Sequence, residues 1–76
     1  MVTIQLTRGM ISYPEESKGV IKVEAGEDTT VEEVLFKANI NLKEVGMVLR
    51  DQKKIDLNEK VNEGDYLHVL PVICGG

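Results

Sequence analysis

Several residue types that support catalysis, disulfide bonding or membrane anchoring are scarce in this sequence of 76 residues. It has one cysteine, one histidine and no tryptophan, and aromatic residues make up only 4% of it. A single cysteine, Cys74, has no partner for an internal disulfide. With so few aromatic residues, the core has to be built from valine, isoleucine and leucine, and the length allows one small domain.

Long apolar runs and basic clusters are also missing. The longest apolar stretch, residues 66–74, is interrupted by His68 and Pro71 and is far shorter than the roughly 20 residues of a membrane helix. Residues 1–10 lack the apolar centre of a signal peptide. The net charge is −4, without a concentration of lysine and arginine. We therefore expect a cytoplasmic protein with neither nucleic acid nor a membrane as partner.

The residues needed for common types of catalysis do not occur in recognisable patterns. Serine-histidine-carboxylate catalysis needs three groups within hydrogen-bond reach, but Ser12 and Ser17 fall in one predicted loop. A zinc site needs three or four ligands, whereas Cys74 and His68 are alone in their types. No glycine pattern of a phosphate-binding loop occurs. The sequence predicts a substrate or binding module, not an enzyme, with no bound cofactor or metal.

Hydrophobic periodicity predicts two strands and a helix in the first half of the chain. Apolar residues alternate with polar ones in residues 2–7 and again in residues 20–24, which predicts a hairpin with a long, turn-rich loop at residues 8–19. A capping box from Thr30 to Glu33 predicts a helix start. The predicted helix ends at residues 39–41 and has one apolar face, formed by Val31, Val34, Leu35 and Ala38.

The second half of the chain predicts two longer strands, one short return strand and the fold class. In order, the pattern gives a strand at 45–50, a turn at 51–54, a short return strand starting at Ile55, one helical turn at 56–60, a turn at 62–65 and a last strand at 66–73. Strands on either side of one helix predict an α+β protein. Its expected architecture is the β-grasp, a mixed sheet of about four to five strands packed on one helix.

The C-terminal residues have an unusual composition. The domain is predicted to span residues 1–73, followed by a flexible Cys-Gly-Gly tail at 74–76. Because glycine has no Cβ atom, Gly75 and Gly76 can enter a narrow channel. Four extended residues, 73–76, reach roughly 13–14 Å, which is enough for the carboxylate of Gly76 to enter a partner's active site.

Four segments spread over the whole chain carry a family pattern: residues 2–6, residues 29–35 at the helix start, residues 63–69 leading into the last strand, and residues 71–72 with 75–76. In this order and spacing they resemble the ThiS/MoaD family of small sulfur-carrier proteins, which are ubiquitin-like in fold. Two features depart from the family pattern. The loop at residues 8–19 is longer than a thiamine-type carrier needs, and Cys74 stands where molybdopterin-type carriers typically have alanine.

The resemblance implies a function in which Gly76 is the reactive residue. An adenylating enzyme resembling ubiquitin-activating enzymes would use ATP and magnesium to adenylate the Gly76 carboxylate. A persulfide sulfur donor would then convert it to a thiocarboxylate, whose sulfur a synthase would accept for molybdopterin, thiamine, thionucleoside or cysteine synthesis. Gly75 and Cys74 would thread the partner's channel. Cys74 would be either a tolerated small side chain or a transient thioester or disulfide former.

Alternation in the last strand predicts a partner-binding face. Tyr66, His68, Leu70 and Val72 would point outward as a semi-apolar stripe beside the tail, unless the chain's own loop covers that face. Two alternative functions stay open. A ubiquitin-like protein modifier would form an isopeptide bond between Gly76 and lysine, and a β-grasp interaction domain would not need a free terminus.

Overall fold

The computed structural model describes residues 1–72, which form a five-stranded sheet with one α-helix. The sheet has the order β2-β1-β5-β3-β4, in which β1 and β5 are parallel and the other neighbours are antiparallel. This mixed sheet confirms the predicted α+β fold. The elements are β1 (Val2–Leu6), β2 (Val20–Val23), α1 (Val31–Lys37), a 3₁₀ helix (Leu42–Glu44), β3 (Val45–Arg50), β4 (Lys53–Ile55) and β5 (Tyr66–Pro71).

One face of the sheet, here called the inner face, packs with the helix into the core. The alternation in β1 and β5 places every second side chain on this face, and Ile4, Leu67 and Val69 are completely buried. The helix contributes the predicted apolar residues, of which Val34 and Leu35 are completely buried. The core is aliphatic, as the shortage of aromatic residues requires. No helix among residues 1–72 has the length and hydropathy to span a membrane.

The start of α1 has the predicted capping box. The Thr30 hydroxyl accepts a hydrogen bond from the Glu33 amide, and the Glu33 carboxylate accepts one from the Thr30 amide. Two further helix amides donate to carbonyl groups of residues 57 and 59, at 2.9 Å each. The prediction of a helical turn at residues 56–60 is wrong, because this segment forms a non-helical turn whose carbonyl groups satisfy the helix start.

The connection between β3 and β4 is tighter than predicted. Asp51 and Gln52 both have positive φ angles, 54° and 67°, as a two-residue hairpin turn of type I′ requires. Lys53 and Lys54 therefore belong to β4, not to the predicted four-residue turn, and Ile55 ends this strand. The 3₁₀ helix before β3 was not predicted from the sequence.

Arg50 connects the end of β3 to the segment before β5. Its guanidinium donates to the carboxylates of Asp65 at 3.1 Å and Glu59 at 3.2 Å, and to the carbonyl oxygen of Lys60 at 3.1 Å. The Arg50 and Asp65 side chains are mostly buried, so these contacts are screened less than surface ion pairs are. They fix the position from which β5 begins.

Candidate functional site

The predicted partner-binding residues lie along the outer face of the sheet, opposite the helix. Tyr66 and His68 are exposed, with Tyr66 at 54%, and Leu70 is partly buried. Val72 follows the end of β5 and is 46% exposed. Within residues 1–72, the loop at residues 8–19 does not cover Tyr66 or His68, so the alternative of a self-covered face is not what the structure shows.

Strand β3 adds two residues to this surface that were not predicted. The antiparallel register pairs Leu49 with His68 and Met47 with Leu70, and directly paired residues have side chains on the same face. We call the surface formed by Tyr66, His68, Leu70, Leu49 and Met47 the outer-face stripe. Alternation within residues 45–50 could have indicated that Met47 and Leu49 share a face, but only the register with β5 places them beside His68.

A cleft of about 220 Å³ borders the outer-face stripe at the β3–β4 turn. It is lined by Tyr66, His68, Leu49, Asp51 and Gln52. Both turn residues sit at its rim because their left-handed conformation closes the hairpin next to β5. The cleft therefore combines apolar walls with a carboxylate and an amide, a combination that can hold a side chain of a partner protein.

Polar groups from β1 border the other side of the stripe. The Tyr66 hydroxyl donates to the side-chain oxygen of Gln5 at 3.3 Å, and the Gln5 amide donates to the carbonyl oxygen of Lys18 at 3.1 Å. These contacts orient the Tyr66 ring and connect it to the long loop. A semi-apolar centre with a polar border is typical of protein interfaces.

The base of the tail is held firmly against the sheet. The Val72 amide donates to the carbonyl oxygen of Glu44 at 2.9 Å. The chain of β3 is irregular at Gly46 and passes so close to β5 that a Cβ atom at this position would lie 2.4 Å from the Pro71 carbonyl oxygen. Glycine is therefore required there for close packing. The last described residue has a fixed place at one end of the outer-face stripe.

The residues predicted to react, Gly76, Gly75 and Cys74, lie outside the described residues. The last strand was predicted to reach residue 73, which also lies outside them. Within the described residues, β5 ends at Pro71. Among residues 1–72, no group of three or more histidine, cysteine or acidic side chains is arranged to hold a metal ion. The described geometry presents an exposed, semi-apolar surface and a fixed starting point for the C-terminal residues.

Comparisons with known proteins agree with this description. Two solved structures of Haloferax volcanii small archaeal modifier protein 1 (SAMP1) are similar in fold. One has a TM-score of 0.71 and 22% identity over 99% of this chain and 98% of its own. The other has a TM-score of 0.73 and 20% identity over 95% and 97%, respectively. At these identities the similarity shows the ubiquitin-like β-grasp fold.

The family assignment comes from the sequence itself. No curated protein matches the sequence, but the sequence profile of the ThiS family matches residues 11–76, which is most of the chain. The matched region includes the helix, the outer-face stripe and the C-terminal glycines. The chain belongs to the ThiS family.

Proposed function

We propose that this protein is a sulfur carrier and that the carboxylate of Gly76 carries the sulfur. A carboxylate is a poor acyl donor because oxide is a poor leaving group, so it has to be activated first. In the proposed reaction the Gly76 carboxylate attacks the α-phosphate of ATP on an adenylating enzyme, and pyrophosphate leaves. ATP and magnesium are bound by that enzyme, which resembles ubiquitin-activating enzymes. The carrier itself acts as a co-substrate.

Sulfur enters in the next two steps. The terminal sulfur of a persulfide attacks the acyl carbon of the adenylate and displaces AMP, which gives an acyl disulfide. A thiol then attacks the donor's sulfur in this acyl disulfide and breaks the sulfur–sulfur bond. The products are the thiocarboxylate on Gly76 and a disulfide between the donor and the thiol. A sulfur-accepting synthase of cofactor, thionucleoside or amino-acid biosynthesis takes the sulfur from the thiocarboxylate.

The observation that supports this proposal most is the continuity between the outer-face stripe and the base of the tail. Val72 lies at the end of the stripe and is held by Glu44, and four further residues extend the reach by at most roughly 13–14 Å. An enzyme that binds the stripe can therefore receive Gly76 in its active site at the same time. Membership of the ThiS family supports the same function.

A protein modifier is the second candidate. It is favoured by the fold similarity to a protein whose name describes it as a small archaeal modifier. The modifier would use the same adenylate, but a lysine amine would attack it. We favour sulfur because a persulfide anion is strongly nucleophilic near neutral pH, whereas a lysine amine, with an ordinary pKa of about 10.4, is almost wholly protonated there.

The proposal is tested by mass spectrometry after incubation with the adenylating enzyme, ATP, magnesium and a persulfide donor. We expect the mass increase of one oxygen-to-sulfur exchange, located on Gly76. Deletion of Gly76, or Gly75→Val, should abolish the exchange and leave the melting temperature unchanged, because a terminal glycine has no side chain to contribute to a core. Cys74→Ser is the matched control in the tail and should retain the exchange.

Three results would change the conclusion. Retained adenylation in the Gly76 deletion would contradict the carrier function. A native product in which Gly76 is joined to a lysine of another protein would replace the carrier by the modifier. Full function after residues are appended to Gly76 would favour an interaction domain, which does not need a free terminus.

A further inference from the structure

The long loop between β1 and β2 places an isoleucine in solvent beside the base of the tail. Ile11 is 92% exposed, the largest exposed fraction among the large hydrophobic residues of the part of the chain described. Its neighbour Met10 is buried in the core, and Tyr13 is partly buried and packs against the core. The loop is therefore anchored before and after Ile11, which fixes this apolar side chain on the surface.

Glu44 connects this loop to the tail base. Its carboxylate accepts hydrogen bonds from the Ile11 amide and from the Ser12 hydroxyl, the latter at 2.7 Å. Its backbone carbonyl accepts the bond from the Val72 amide. One residue thus holds both the loop that carries Ile11 and the strand end that carries Val72. Hydrogen bonds to a carboxylate are stronger than those between neutral groups.

A mainly apolar cleft of about 280 Å³ lies between the loop and the strand end. Ile11 and Met10 line one side, Pro71 and Val72 line the other, and Lys43 and Glu44 also border it. This cleft is separate from the one beside His68, which has no lining residue in common with it. The structure therefore has a second apolar surface, located where the C-terminal residues begin.

The short reach of residues 73–76 indicates which partner protein covers the cleft between Ile11 and Val72. In any conformation, residues 73–76 extend at most roughly 13–14 Å from Val72. An enzyme that acts on the Gly76 carboxylate inside a channel has to bring the mouth of that channel up to the tail base. Ile11 and Val72 border the same cleft, so the enzyme surface around the mouth faces both side chains.

We propose that Ile11 is a recognition residue for the adenylating enzyme and that an apolar side chain at the mouth of the enzyme's channel fills the cleft between Ile11 and Val72. Glu44 is the positioning residue of this contact, because it holds the loop against the tail base. This inference rests on the proposed function and adds to the outer-face stripe a second contact with the same partner. The contact contributes to binding of the carrier rather than to the chemical step.

The test compares adenylation kinetics of full-length variants with the ubiquitin-activating-like enzyme of the same organism, measured as pyrophosphate release. We expect Ile11→Ser to raise the KM for the carrier roughly tenfold with unchanged kcat, since an exposed apolar side chain that becomes buried contributes that order of affinity. Ile11→Val should restore most of the affinity. Glu44→Ala should raise the KM by a smaller factor, because it loosens the loop and keeps the backbone bond to Val72.

Phe36→Ser is the matched control. Phe36 is 81% exposed on α1, which packs on the inner face of the sheet, so its replacement should leave the KM unchanged. A KM for Ile11→Ser within twofold of the wild-type value, an equal rise in Phe36→Ser, or an effect on kcat alone would overturn the inference and leave the carrier function intact. If the wild-type protein is not adenylated at all, both proposals are wrong.

Discussion

The two faces of β5 differ in burial. Leu67 and Val69 on the inner face are completely buried, whereas Tyr66 on the outer face is 54% exposed and His68 is exposed as well. Burial of the inner residues stabilises the fold through the hydrophobic effect. The outer residues contribute little to that burial and are available to a partner. The period of two in its side chains therefore gives one strand a buried face that stabilises the fold and an exposed face that does not.

The largest expected effect comes from shortening an inner-face residue. Leu67→Ala should lower the free energy of unfolding by about 2–5 kcal/mol, because it removes buried methyl groups and leaves a cavity. Leu70→Ala, the same change on the other face of β5, should cost clearly less. Urea denaturation of both variants, with equal m values, measures the difference. Equal losses in the two variants would contradict the conclusion that the inner face contributes more to stability than the outer face.

The separation was predictable from sequence because it depends on local patterns. Alternation in β1 and β5 places side chains on faces regardless of the rest of the chain. The capping box is likewise local, since Thr30 and Glu33 lie one turn apart. The β3–β4 turn was harder to predict, because Asp51 and Gln52 adopt positive φ angles without glycine and are held there by pairing of the flanking strands.

Contacts between distant residues explain what the sequence analysis missed in the site. Leu49 joins the outer-face stripe only through the register of β3 with β5. Ile11 lies at the tail base because its amide donates a hydrogen bond to the carboxylate of Glu44, 33 positions later in the chain. Neither pairing has a local signature. The outward positions of Tyr66 and His68 could be predicted because they follow from the alternation within their own strand.

A smaller effect on stability is expected at the helix that covers the inner face. Thr30→Ala should lower the free energy of unfolding by about 1 kcal/mol, because it removes the side-chain oxygen that accepts a hydrogen bond from the Glu33 amide. Thr30→Ser keeps this acceptor and is the matched control. Thermal and urea unfolding of both variants measure the effect. An unchanged stability of Thr30→Ala would show that the contacts of the helix start with residues 57 and 59 are sufficient without the cap.

The smallest effect on stability, combined with an effect on binding, is expected on the outer face. His68 is exposed between the buried residues Leu67 and Val69, so His68→Ala should change the free energy of unfolding by less than about 0.5 kcal/mol. It should nevertheless weaken binding to the adenylating enzyme roughly tenfold if the cleft beside the β3–β4 turn receives a side chain of the enzyme.

Isothermal titration calorimetry with the adenylating enzyme measures the affinity of His68→Ala separately from its stability. Phe36→Ala is the control, because it removes an exposed ring from the helix on the inner side of the sheet. Weaker binding in His68→Ala alone would place the enzyme on the outer-face stripe. Equal affinities for the wild type and His68→Ala would exclude this cleft from the interface. The partner contact would then have to lie nearer Val72, where β5 ends and the C-terminal residues begin.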